Sequence, residues 1–332
     1  MLRPESKILV VKTRSMGDNI IMLPALRLLR ERFPTAEIDV LTVTESAAPL
    51  RPLLFIDGIY SFQKRGIVRR LWQTAILLRK IRNKHFDFAI NLQASKGSEK
   101  VMLLSGAKKR LIYPYIYGKS SKYSHFHIGK SREIKQTFME DIDALRPLGV
   151  SDKGWSFDYP VSETNLSKAK DIVTEYAIPF KKFIVIHPGG DRSEKRWSSR
   201  NFARLIDIID RKLLMKSIVI YTKNEHSIYK GIFKNTETEP IGLSLPFDLL
   251  TGLIKSSLVF IGNDSAPHHL ACALNIPSIV LMSRDRRNTW HPYNEKYHRV
   301  IVGALKNGKE NPIERITVDD VFSTLKELIA VL

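Results

Sequence analysis

Cysteine is almost absent from this 332-residue chain. The single thiol, Cys272, excludes an internal disulfide and a multi-cysteine metal site, and it fits a reducing cytoplasm. Long apolar runs are lacking too: none reaches the ~20 residues a membrane-crossing helix needs. The opening MLRPESKILVV passes straight into a strand-like pattern, which does not read as a signal peptide. No GxGxxG fingerprint and no GxxxxGK[ST] phosphate loop occurs anywhere. Acid is scarce relative to base, with 34 Asp and Glu against 53 Lys and Arg, a net charge of +19. The excess is uneven. Residues 1–150 carry 27 basic and 13 acidic residues, a net +14, whereas residues 151–332 carry 26 and 21, a net +5. The surplus is concentrated between Lys64 and Lys135, a field that attracts nucleic acid, anionic lipid or an acidic substrate.

What is present is a globular composition, 43% hydrophobic and 26% charged, which excludes disorder, collagen-like repeats and coiled coil. The length suggests two domains of ordinary size. KILVV (Lys7–Val11) is a short β-branched run that reads as a buried strand. From Asp18 the spacing of Ile20, Leu23, Leu26, Leu29 and Phe33 predicts an amphipathic helix, kinked at Pro24 or starting properly just before it. Strands are predicted at Glu37–Leu41 and Phe86–Asn91, with a basic helix over about Ile67–Arg82 between them. The pattern weakens from about Pro147 to Glu163, where Gly149, Gly154 and Pro160 surround a short aromatic strand. Then it resumes, with strands Phe183–His187, Ser217–Tyr221, Leu258–Gly262 and Ser278–Met282. Helices are predicted at Asn201–Leu214, from about His226, at Ala266–Leu274 and at Val318–Val331. Alternating strands and helices predict parallel sheets with right-handed crossovers. The expected architecture is therefore α/β, two Rossmann-like doubly wound domains facing across a cleft, residues 1–160 and 161–332, with the last helix free to pack back on the first domain.

Open α/β sheets bind ligands where the βα loops gather, and four such loops carry suitable residues. In TRSMGDN (Thr13–Asn19), Asp18 is either a helix N-cap or a carboxylate placed as a general base. In HPGGDRSEKRW (His187–Trp197), Gly189 and Gly190 let the backbone approach a ligand, while Arg192, Lys195 and Arg196 supply cations suited to phosphate. The alternative is a solvated basic loop. In GNDSAPHHLACAL (Gly262–Leu274), Asp264 or Ser265 caps a helix and Pro267 sits in its first turn. The N–H groups of Ser265 and Ala266, aided by the helix dipole, would face an anion. Asp264, Ser265 and His269 have the letters of a hydrolytic triad, but helical spacing cannot arrange them as a relay. His268 and His269 point apart, so they form no metal pair, and His269 could equally be an ordinary packed histidine. Cys272 faces the apolar side and is expected to be inert. In TKNEHS (Thr222–Ser227), Glu225 could accept hydrogen bonds from a ribose diol or be a solvated residue at a helix start.

Read in order, RSMGDNIIMLPALRLLRERFP, HPGGDRSEKRWSSRNFARL and IGNDSAPHHLACALNIPSIVLMS resemble the ADP-heptose:lipopolysaccharide heptosyltransferase family. INLQASKGSEKVMLLSGAKKR is similar to the family's stretch after its middle N-domain strand, and the resemblance runs from about Lys7 to Val331. It implies a glycosyltransferase B fold and inverting transfer of heptose from ADP-heptose to the lipopolysaccharide inner core. By the same resemblance Asp18 is the base and Lys195 binds the donor diphosphate. Asp264, Ser265, Ala266 and His269 grip diphosphate and sugar, and Glu225 holds the ribose. Gly189, Gly190 and Arg192 would complete the donor loop. No metal or other cofactor is expected, and no DxD motif lies near the donor residues. An acidic core acceptor at the inner membrane surface would meet cations such as Lys64, Arg65, Lys96 and Lys122, which are otherwise simply a solvated basic face. That places the protein in the cytoplasm, in peripheral contact with the inner membrane and with no nucleic-acid partner.

Three departures from the family pattern concern the donor. Ala266 replaces the usual glycine, and His268 a residue that is often Met or Ser. MSRDRRNTWHPYN replaces an FGPTDP-like segment and brings Arg284, Arg286 and Arg287 near the donor pocket. A same-fold enzyme using another nucleotide sugar or acceptor is one alternative. A basic nucleic-acid binder is another, although no zinc finger, aromatic RNA platform or continuous basic helix supports it. A scaffold without activity is a third, opposed by the intact Asp18, Lys195 and Asp264.

Overall fold

The short apolar runs become the centres of two parallel sheets. In the computed structural model, the structure describes residues 5–63, 67–93, 95–113, 121–126, 135–303 and 313–332, with 67–73 as backbone only. The chain divides into two compact units, Met1–Phe157 with Asn288–Trp290, and Asp158–Arg287 with His291–Leu332.

The first unit holds β1 (Lys7–Val11), α1 (Met16–Ile21), α2 (Leu23–Arg32), β2 (Glu37–Val43), β3 (Gly58–Phe62), α3 (Ile67–Asn83), β4 (Phe88–Asn91), α4 (Lys96–Leu104), β5 (Lys109–Ile112) and α5 (Thr137–Asp143). Its strands lie in the order β3-β2-β1-β4-β5. Every neighbouring pair is parallel, with Val10 opposite both Val40 and Ile90. Residues 8–11 have no exposed surface, as expected for a central strand covered on both faces. The predicted N-terminal helix is broken at Met22, and Pro24 stands in the first turn of α2, where its missing N–H costs nothing.

The second unit holds α6 (Glu163–Glu175), β6 (Phe183–His187), α7 (Ser199–Leu213), β7 (Lys216–Ile220), α8 (His226–Phe233), β8 (Ile241–Leu243), α9 (Phe247–Lys255), β9 (Val259–Asn263), α10 (Ala266–Ala273), β10 (Ser278–Met282), β11 (His298–Val302) and α12 (Val318–Ala330). A short α11 (Arg287–Trp290) precedes β11. The strand order is β11-β10-β9-β6-β7-β8, again parallel throughout. Ile184, Ile186, Val219, Ile261 and Leu281 pack with Phe202, Leu205, Ile206 and Ile209 of α7.

In the second unit α12 lies on α7, β10 and β11 and seats Val321, Leu325 and Leu328 in the core. One expectation needs correction. The aromatic stretch near the junction is not a strand. Its backbone is irregular, and Trp155 and Phe157 instead clasp Phe138, at ring-centre distances of 4.5 and 5.3 Å. Among the described residues no helix is long and apolar enough to cross a membrane.

Both strand orders reverse direction once, between β1 and β4 and between β6 and β9. The carboxyl ends flanking such a reversal are where an open α/β sheet leaves a crevice for a ligand.

Candidate active site

In the first unit the loop after β1 is pinned from both sides. The Thr13 N–H and hydroxyl both donate to Gln93 Oε1, beyond the end of β4, at 2.6 and 2.8 Å. On the other flank the Ser46 hydroxyl donates to the Arg14 carbonyl at 2.8 Å, and the buried Asn19 amide donates to Thr42 Oγ1 and Ser46 O. The cap of α1 is Ser15, not Asp18. Asp18 is the third helical residue and forms a reciprocal box: the Ser15 N–H and hydroxyl donate to Asp18 Oδ2 at 3.2 and 2.5 Å, and the Asp18 N–H faces Ser15 Oγ at 3.5 Å. Oδ1 has a long 3.5 Å contact with Arg14 Nη1, whose side chain is 46% exposed, while that of Asp18 is only 10% exposed. One oxygen thus fixes the carboxylate and the other can receive a proton.

In the second unit three loops meet around the β6–β9 reversal. Asn263, fully buried at the end of β9, ties them together. Its amide donates to the Pro188 and Gly189 carbonyls at 2.8 and 3.1 Å, and its Oδ1 accepts the Trp197 N–H at 3.1 Å. Trp197 is buried and donates its indole N–H to the Ile316 carbonyl at 2.8 Å, so the tryptophan of KRW anchors the loop in the core. Arg196 is spent on the same loop, donating to the Gly190 carbonyl. Lys195 is left at the surface of the site, its Nζ 3.4 Å from Asp264 Oδ2.

Ser265 occupies the N-cap position of α10, yet its side chain makes no capping bond. Its hydroxyl lies 3.0 Å from both His187 Nδ1 and the Asn263 carbonyl. Among the described residues the Ser265 and Ala266 N–H groups have no hydrogen-bond partner, and with the helix dipole they form a turn suited to an anion. His269 is packed, its Nδ1 3.1 Å from the Tyr293 hydroxyl, but its Nε2 is also 4.0 Å from Asp264 Oδ1. Burial holds the Tyr293 hydroxyl in its protonated form, well above the usual range. His268 does not point away from His269 as helical spacing suggested: the two ring centres are 5.3 Å apart, and His268 stacks on His291 with burial favouring its neutral form. Cys272 is buried, and burial pushes its thiol up.

Glu225 is not the solvated residue that its place at a helix start suggested: its side chain is 14% exposed. Its Oε2 accepts the N–H and hydroxyl of Thr222 at 2.9 and 2.8 Å and lies 3.6 Å from His187 Nε2. Burial works against its charge, but the His187 ring and the Thr222 bonds outweigh that cost and hold the carboxyl at about 2. Gly189 makes room for it, because a Cβ there would stand 1.8 Å from Glu225 Oε1.

An open pocket is lined by Arg192, Lys195, Asp264, Ser283, Arg284 and Arg286 among others. Arg287, expected with them, is engaged by Asp285 at 2.7 Å instead. In the first unit a pocket opens at the ends of β2 and β3, between Thr44, Phe62, Ile76, Leu77 and Lys80. Among the described residues, Lys96 and Lys122 do not line it. Lys96 is exposed at the start of α4, Lys122 is exposed with its ammonium 5.2 Å over the Tyr123 ring, and Lys64 and Arg65 lie outside the described residues. Sequence reasoning passed over Lys80, His187, Thr222, Asn263 and Tyr293. Of these, only His187 and Asn263 carried a signal, as polar residues closing otherwise apolar strands.

Two parallel-sheet α/β units with these strand orders are the architecture of the glycosyltransferase B type. The family model for glycosyltransferase family 9 (heptosyltransferase) matches residues 74–317. The chain is 25% identical to lipopolysaccharide heptosyltransferase 3 of Escherichia coli (strain K12), over 95% of this chain and 96% of that one. It superposes on the family 9 glycosyl transferase from Veillonella parvula with a TM-score of 0.86, at 19% identity over 100% and 99% of the two chains. On E. coli heptosyltransferase WaaC with ADP-2-deoxy-2-fluoro heptose the TM-score is 0.76, at 17% identity over 97% and 99%. The chain belongs to glycosyltransferase family 9, and it is a glycosyltransferase.

Proposed function

We propose that this enzyme moves a heptose, with inversion, from ADP-heptose to the acidic inner core of lipopolysaccharide. Asp18 takes the proton of the acceptor hydroxyl as that oxygen attacks the anomeric carbon. Lys195, the Ser265 and Ala266 N–H groups and the α10 dipole stabilise the departing diphosphate. Asp264 and His269 orient the sugar, Glu225 receives the ribose diol, and Gly189, Gly190 and Arg192 line the donor loop. The observation that carries this reading is the anion-binding turn with Lys195 beside it. It offers what a leaving diphosphate needs, and the similar proteins include a lipopolysaccharide heptosyltransferase and the heptosyltransferase WaaC with ADP-2-deoxy-2-fluoro heptose. The net +14 of residues 1–150 supports an acidic acceptor and peripheral contact with the cytoplasmic face of the inner membrane.

The test is Asp18→Asn, which keeps the shape of the carboxylate and most of its box with Ser15. Turnover should fall by about 10²–10⁴-fold with ADP affinity close to normal. Normal turnover with lost donor binding would overturn the base assignment. Mass spectrometry of core oligosaccharide from a deletion strain then names the sugar. A second reading, another nucleotide sugar, is favoured by Arg284 and Arg286 in the donor pocket. Calorimetric preference for UDP or GDP over ADP would select it.

A further inference from the structure

His187 has no part in the chemistry above, yet its ring stands at the centre of the donor residues. It closes β6, the strand beside the reversal, and its side chain is 6% exposed. Nδ1 is 3.0 Å from Ser265 Oγ in the turn before α10, and Nε2 is 3.6 Å from Glu225 Oε2 in the loop after β7. One imidazole therefore joins three βα loops carried by the adjacent strands β9, β6 and β7. A carboxylate neighbour favours a proton on Nε2, and Nδ1 meets the Ser265 hydroxyl, which donates to the Asn263 carbonyl. That hydroxyl is turned back into the protein, so the turn offers a ligand its N–H groups.

Glu225 is held in the same spirit. Oε2 is taken by Thr222 and faces the ring, while Oε1 sits so close over Gly189 that even a methyl group there would collide with it. We propose that His187 is a positioning residue that sets ribose specificity. It braces the diol-binding carboxylate against the diphosphate-binding turn, so their separation is fixed before the donor arrives and binding does not have to order it. This rests on the reading above, in which Glu225 meets the ribose and Ser265–Ala266 the diphosphate.

Calorimetric titration with ADP and with 2′,3′-dideoxy-ADP tests it. Wild type should prefer ADP by about 10-fold or more, the worth of a hydrogen bond to a charged group. His187→Ala should shrink that preference to about twofold by weakening ADP alone, with dideoxy-ADP affinity unchanged, and His187→Gln, which keeps one donor and one acceptor, should restore part of it. Ser265→Ala cuts the brace at its far end without touching β6, and should lower the preference less; it serves if His187→Ala does not fold. Equal weakening of both nucleotides in His187→Ala, or an undiminished preference, overturns the proposal while leaving the donor site intact. A wild-type enzyme that does not bind ADP, or does not distinguish the two nucleotides, overturns the underlying reading and the brace with it.

Discussion

Asp18 follows β1 and Glu225 follows β7, and each is the third residue of a turn whose cap donates both its N–H and its hydroxyl to one carboxylate oxygen. From there the two units part. At the end of β6, His187 turns its ring towards Glu225. Just past β1, Lys12 is 1% exposed and paired with the fully buried Asp141 of α5, so among the described residues the cation beside Asp18 is the exposed Arg14. The same local frame thus yields a locked carboxylate in one unit and a poised one in the other. The deciding feature is where the strand-end group spends its charge or hydrogen bonds.

The sharpest way to break that contrast is to break the Lys12–Asp141 pair. Removing one partner strands a buried charge, which costs about 3–5 kcal/mol, whereas an apolar pair of similar volume is often neutral. Lys12→Met should therefore lower the urea midpoint strongly, and Lys12→Met with Asp141→Leu should recover most of the loss. Equal destabilisation by single and double variants would mean that the pair is not a self-contained unit. The second unit answers with acid. Glu225 is depressed from 4.5 to about 2, so its stabilisation is fully present above pH 4.5 and is lost as pH falls towards 2. The full effect is about 3 kcal/mol. Glu225→Gln should flatten that part of a stability-against-pH curve, and a curve of unchanged slope would refute the account in which the His187 ring and Thr222 hold the carboxylate.

Much of this layout is legible in the sequence wherever a strand is buried on both faces. KILVV, FIVIH and SIVLM are all central strands and all read as apolar runs. The four strands that sequence reading passed over, β3, β5, β8 and β11, are the sheet edges. One side of each is half-exposed, so Gly58–Phe62 and Ile241–Leu243 show no apolar run to find. In the site, Asp18, Lys195 and the α10 turn were readable because motif and strand end coincide. Glu225 was readable as a residue, but its burial was not, since that depends on His187 and Gly189 arriving from a different strand. The pairing of Lys12 with Asp141 spans 129 positions and leaves no local trace.

Smaller effects sharpen the comparison of the two boxes. Loss of a cap hydroxyl costs about 0.5–2 kcal/mol, so Ser15→Ala and Thr222→Ala should destabilise to similar extents in denaturant titrations. Their functional outcomes should differ. Asp18 loses the short hydroxyl bond that fixes its Oδ2, so turnover should drop in Ser15→Ala. Glu225 keeps His187, so ADP affinity should change little in Thr222→Ala. A larger loss of ADP binding in Thr222→Ala than in His187→Ala would show that the cap, and not the ring, holds the second carboxylate.

The smallest effect separates two adjacent glycines. At Gly189 a methyl group would meet Glu225 Oε1 at 1.8 Å and His187 Nε2 at 2.8 Å, so the carboxylate must swing out of its cradle and the preference for ADP over its dideoxy analogue should fall. At Gly190 the nearest atom to such a methyl is Arg196 Cγ at 3.7 Å, an ordinary contact, and the backbone is not in the left-handed region. Alanine there restricts the unfolded chain more than it disturbs the folded one, a gain of up to about 0.4–1 kcal/mol. Thermal melts should therefore place Gly190→Ala at or slightly above wild type and Gly189→Ala below it. Equal losses at both positions would mean that neither glycine tolerates a side chain, and that Gly189 is not a special accommodation to the Glu225 carboxylate.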